Sequence, residues 1–152
     1  MIYCDTSFLA ALYLPEDVFE PVARPIAASW DRGIPFPWLS EIELCTTIYR
    51  GIGRNLYDKS ACTAILRQIS SDKAAGILLP RLLDSMMLFN SAMDLSKRFT
   101  ATHQCRTLDI LHVAAALEFK AKTMASFDNR QRQLASSTGL SLLPEVLPKT
   151  LQ

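Results

Sequence analysis

The sequence predicts an α/β fold with a mainly parallel sheet. Short apolar runs of strand length alternate with longer helical stretches along the whole chain, and neither an internal repeat nor a low-complexity linker interrupts them. The length sets the scale: 152 residues, 49% of them hydrophobic, make one ordinary domain with a substantial core.

Residues 1–4 read as a buried strand that ends at Asp5, and 6–14 as a helix stopped by Pro15. A second helix is expected over about 16–30, although Pro21 and Pro25 disfavour its interior. A short strand at 34–36 lies between Gly33 and Pro37. Ser40 followed by Glu43 has the spacing of a capping box, so a helix is expected to open there and run to about Ile52. Asp58 is placed to cap a helix over 59–70. A third strand at 77–79 precedes a long helix over 82–99. Thr107 can cap a helix over 108–120, and a fourth strand follows at 123–126. Asp128 can cap a helix over 129–136 that Gly139 stops, before a last strand at 140–143. A domain over 1–144 and a loosely attached tail over 145–152 complete the expectation.

Composition excludes several function classes. The charged fraction of 20% speaks against disorder, and a net charge of +1 supplies no strong global field for nucleic acid, so any such binding needs a local basic patch or metal ions. Cys4, Cys45, Cys62 and Cys105 have no CxxC spacing and lie in apolar stretches, which fits reduced thiols in a reducing compartment rather than a zinc site. The apolar N-terminus lacks a basic leader and is interrupted at Asp5, and no apolar run reaches the roughly 18 residues of a membrane span. A cytoplasmic protein without membrane contact is expected. No Walker A or GxGxxG loop is present, and His103 and His112 are not beside a nucleophile in sequence.

The residues that follow the strands hold the chemistry, because parallel α/β sheets bind ligands at the carboxyl ends of their strands. Asp5 and Asp128 follow strands, and Glu43 and Asp109 lie in the first turns of helices, so all four acids can gather at one edge of the sheet. Converging carboxylates repel one another unless a hard cation such as Mg²⁺ or Mn²⁺ bridges them, and such a cluster suits phosphodiester hydrolysis. Each acid also has a simpler explanation as a helix cap or first-turn acid. Asp5 and Asp109 are the harder two to explain so, since both sit among positions expected to be buried. Glu41 competes with Glu43 from the other side of the helix, about 200° away. His112, three residues after Asp109, can be a ligand or a hydrogen-bonded structural histidine.

The stretches IYCDTSFLAALYLPED, FPWLSEIELCTTIYRGI, CRTLDILHVAAALEFKA and MASFDNRQRQLASSTGL, in this order, resemble the four motifs of the PIN-domain ribonucleases, in particular the VapC-type toxins of bacterial toxin–antitoxin pairs. The resemblance covers about residues 1–144; between 55 and 100 only the helical character matches. It implies a three-layer α/β/α sandwich with a four- to five-stranded mainly parallel sheet. It implies Mg²⁺- or Mn²⁺-dependent endonucleolytic cleavage of RNA, with tRNA and rRNA the usual targets, a homodimer, and inhibition by a VapB-type antitoxin. On this likeness Asp5 and Asp109 are the principal metal ligands, Glu43 binds metal directly or through water, and Asp128 completes the site. Thr6 or Ser7 would hydrogen-bond Asp5 or a ligand water, and Arg50, Arg54, Arg130 and Arg132 are candidate phosphate contacts. A PIN nuclease of RNA maturation, and a PIN-like module that binds RNA or protein without cutting, are the other functions open to such a chain.

Overall fold

The computed structural model describes residues 1–148; the last four residues of the tail expected at 145–152 lie outside the described residues. In chain order the elements are β1 (Ile2–Cys4), α1 (Thr6–Tyr13), α2 (Glu20–Ala28), β2 (Ile34–Pro37), α3 (Trp38–Gly53), α4 (Lys59–Ala74), β3 (Leu78–Arg81), α5 (Ser85–His103), α6 (Thr107–Glu118), β4 (Thr123–Ala125), α7 (Asn129–Ser137) and β5 (Ser141–Leu143). Every strand pairing is parallel: Ile2 stands opposite Thr123, Thr123 opposite Ser141, and Ile34 opposite Leu78. The strands form two hydrogen-bonded groups, β1-β4-β5 and β2-β3, with β1 lying beside β2.

Strand alternation divides the core in two. Cys4 and Ala125 point to a cluster with Phe8, Leu9, Leu44, Ile48 and Ile65 from α1, α3 and α4. Tyr3 and Met124 point the other way, to Leu88, Leu95, Ile110, Val113 and Leu134 from α5, α6 and α7. Helices therefore cover both faces of the sheet, and β1 and β4 read as continuous apolar runs because neither face meets water. The result is the expected PIN-like α/β/α sandwich, with all five strands ending at one edge.

Three local expectations are corrected. The helix expected to open at Ser40 begins at Trp38, with extended Pro37 before it, so Ser40 is a buried residue inside the helix and the Ser40–Glu43 box is not formed. Glu43 instead turns to partners from distant elements, described below. The helix expected from Leu82 begins at Ser85, because β3 extends to Arg81 and Asp84 caps Met86 and Met87 through its side chain. Arg106, not Thr107, is the residue before α6. The start of the tail is also held: Arg132 donates to the Pro144 and Glu145 carbonyls, and Leu147 packs on the first core. Among the described residues, no helix is long and apolar enough to cross a membrane.

Candidate active site

Asp5 leaves β1 at the carboxyl edge and is fully buried. It caps α1 by accepting the Phe8 N–H on Oδ1 at 2.9 Å. The Ser7 hydroxyl donates to the same carboxylate at 2.7 Å, and the Ser126 hydroxyl, just past β4, donates to Oδ2 at 2.7 Å. Both hydroxyls also accept a backbone N–H, from Phe127 and Asp128 respectively. A carboxylate offers about four acceptor sites, so three neutral donors leave Asp5 room for one more partner. Burial raises its pKa; the His112 charge and the bonds from Ser126, Phe8 and Ser7 work against that and do not cancel it.

Glu43 and Glu41 separate clearly. Glu41 lies on the exposed side of α3 in an ion pair with Lys73 at 2.6 Å. Glu43 turns inward: its Oε2 accepts the Thr6 hydroxyl and lies 2.5 Å from His112 Nε2. Burial disfavours its charge, but the hydrogen bond and charge of His112 and the Thr6 hydroxyl outweigh it, so its pKa falls below the ordinary carboxylate value.

Asp109 is buried in the first turn of α6, where Oδ2 accepts the Arg106 N–H at 2.8 Å. Asp128 is half-buried and caps α7, with Oδ1 accepting the Arg130 and Gln131 N–H groups. The two acids share a neighbourhood: burial and then the Asp109 charge raise the Cys105 thiol pKa, with Asp128 adding to this and Arg130 opposing it. Asp5 connects to Asp128 through Ser126, and Glu43 connects to the α6 turn of Asp109 through His112. Asp5, Asp109 and Asp128 each serve a helix N-terminus, and each positive helix end favours the charge of its own acid.

The free carboxylate oxygens are of the type that a hard cation takes. Every acid is anchored yet keeps acceptor capacity: among the described residues, no protein donor reaches Glu43 Oε1, Asp109 Oδ1 or Asp128 Oδ2. Among the described residues, no group of three or more His, Cys, Asp or Glu side chains is arranged to hold a metal ion. Mg²⁺ keeps several waters and commonly takes only one or two carboxylates, so one or two of these acids would suffice to hold it.

The four arginines part company. Arg130 is exposed in the first turn of α7 beside Asp128. Arg50 and Arg54 are exposed at the far end of α3, about 10 and 16 Å along the helix axis from Glu43. Arg132 does not fit a phosphate contact: it is buried, and its guanidinium is spent on the carbonyls of Ser126, Leu143, Pro144 and Glu145. Sequence reading missed Ser126, Tyr3 and the exposed Arg106. A hydroxyl two residues before Asp128, mirroring Ser7 two residues after Asp5, was the available signal for Ser126.

No protein-family model matches the sequence, and no curated protein is significantly similar to it. Among solved structures, the chain is similar to Mycobacterium tuberculosis VapC20, described as a toxin that cleaves the sarcin-ricin loop. The two are 20% identical, with a TM-score of 0.70 over 97% of this chain and all of the other. At that identity the likeness is one of fold, and the fold of this chain is the PIN-like sandwich of that toxin.

Proposed function

We propose that the chain is a divalent-metal-dependent endoribonuclease, the toxin of a VapBC-type pair, cutting structured RNA such as tRNA or rRNA. The observation that carries this reading is the set of acids from four elements at the carboxyl edge of a toxin-like fold, each anchored through part of its carboxylate and open at the rest. Asp5 and Asp109 would be the principal ligands of Mg²⁺ or Mn²⁺, with Glu43 and Asp128 completing the site. The cation, when bound, supplies charge that lowers the pKa of nearby water and neutralises the phosphate. Glu43 orients the attacking water, Ser7 and Ser126 fix Asp5, and Thr6 fixes Glu43. Arg130 meets the phosphate next to the acids, and Arg50 and Arg54 can meet the RNA backbone farther along α3. The four free thiols support a cytoplasmic location.

Glu43 and Glu41 give a paired test. Glu43→Gln is expected to lower the rate of Mg²⁺-dependent RNA cleavage by about 100-fold. Glu41→Gln, which removes only an exposed ion pair, should leave it unchanged. Equal rates in the two variants would refute the assignment.

A homodimer is part of the proposal. Pro37 and Arg81 are register partners at the ends of β2 and β3, so Trp38 and Leu82 emerge side by side. From there two exposed apolar stripes run on, Trp38, Ile42 and Tyr49 along α3 and Leu82, Met86, Phe89 and Met93 into α5. Ile42 is 60% and Leu82 99% exposed, which supports a partner surface. The protein should sediment at twice the chain mass, and Ile42→Asp should shift it to the monomer. A wild type that is monomeric at micromolar concentration would rule the dimer out. The VapB-type antitoxin would act by covering the acids.

A further inference from the structure

We propose that Tyr3 and His112 are positioning residues that hold Glu43 for its role, an inference that rests on the reading of Glu43 as part of the acidic site. His112 is fully buried, and both of its ring nitrogens are occupied. Nε2 lies 2.5 Å from Glu43 Oε2, and Nδ1 lies 2.8 Å from the Tyr3 hydroxyl. Neither nitrogen is left for a metal, so His112 acts on the site through Glu43.

The donor directions follow from the partners. The Glu43 carboxylate only accepts, so Nε2 carries the proton. The Tyr3 hydroxyl meets Nδ1 at 2.8 Å and, able both to donate and to accept, satisfies that nitrogen with or without a proton on it. Tyr3 is itself fixed: its ring is fully buried, stacked on Phe119 at 6.2 Å, with Ser40 Oγ 3.4 Å from its hydroxyl. The relay joins the elements that carry the acids. Tyr3 is two residues before Asp5 on β1, His112 is one helical turn after Asp109 on α6, and Glu43 is on α3. The backbone that sets Asp5 and Asp109 therefore also sets the orientation of Glu43. With Thr6 and His112 both on Oε2, the carboxylate is held in one rotamer and Oε1 is the oxygen left for water or cation.

The test uses the full chain and the variants Tyr3→Phe, His112→Phe and His112→Gln. In ¹⁵N spectra of ring-labelled wild type, His112 should carry a hydrogen-bonded proton on Nε2, and Tyr3→Phe should shift the Nδ1 signal. Mn²⁺ titration and cleavage of the RNA that the wild type cuts are then compared. Tyr3→Phe and His112→Phe should each lower Mn²⁺ affinity or kcat by about 10–100-fold with KM unchanged. His112→Gln, which keeps an N–H donor near the place of Nε2, should recover to within a few-fold of wild type. The proposal is overturned by a ring with no proton on Nε2. Wild-type kcat and Mn²⁺ affinity in Tyr3→Phe would also overturn it, as would a folded His112→Gln no better than His112→Phe. The Nε2 proton is read on the unmodified protein, so it decides even if a variant fails to fold. A wild type that cuts no RNA, yet shows the relay and its effect on Mn²⁺ affinity, would defeat the ribonuclease reading and leave the positioning role standing.

Discussion

Asp5→Asn is expected to lower RNA cleavage on the order of 10³-fold while the metal-free protein melts at a higher temperature than wild type. The two effects have one origin. Asp5 is fully buried, and burial raises its pKa above that of the unfolded chain. The folded state thus binds this proton more tightly than the unfolded state, so the ionised carboxylate costs stability. That cost is absent below the unfolded pKa near 4 and in full force above the folded pKa. Asn keeps an oxygen for the Phe8 N–H and removes the charge, and the Ser7 and Ser126 hydroxyls can turn to accept from its amide. The Tm should rise at neutral pH, by roughly 2–4 °C per kcal/mol for a chain of this size. The difference should vanish as the pH falls to the unfolded range. Calorimetry of the metal-free proteins across pH, beside a cleavage assay, checks both. A variant that cuts RNA at the wild-type rate would remove Asp5 from the site.

The largest loss of stability is expected from Arg132→Met. Arg132 donates from Nη1 to Ser126 O at 2.9 Å and from Nη2 to Pro144 O at 2.8 Å, with Leu143 O and Glu145 O at longer range. Its residue is only 6% exposed, so the variant leaves buried carbonyls without donors. The cost should be about 2–4 kcal/mol, lowering Tm by roughly 5–15 °C. Arg132→Lys should recover little, because one ammonium cannot span the same carbonyls. Burial lowers the Arg132 pKa while the Asp5 charge raises it, so the guanidinium also offsets the charge of the acid it helps to place. A denaturant melt of Arg132→Met that matches wild type would show that the clamp contributes nothing.

Much of this was legible in the residues, for a physical reason. In a parallel sheet the strand end and the cap of the next helix coincide, so Asp5 and Asp128 revealed element boundaries at the edge where the proposed site lies. β1 and β4, buried on both faces, stood out as apolar runs, and all five strands were found within a residue or two. What stayed hidden depended on contacts distant in sequence. Glu43 and Glu41 are equivalent to helical periodicity; partners 37 and 69 residues away, Thr6 and His112, distinguish them. The capping box failed because α3 begins two residues before Ser40, which leaves Ser40 inside the helix. Arg132 sits between two glutamines, a pattern that reads as surface, and only the fold brings the end of β5 over it. The Tyr3–His112 contact spans 109 residues and has no local signature.

The most direct test of the account is to incubate the purified protein with RNA, with Mg²⁺ or Mn²⁺ and with a chelator, and to identify the ends produced. Hydrolysis by water at a carboxylate-held cation predicts cuts that require the metal, disappear in Asp5→Asn, and leave no 2′,3′-cyclic phosphate, because the ribose hydroxyl takes no part. Cleavage that survives the chelator, or cyclic phosphate at the new ends, would contradict it.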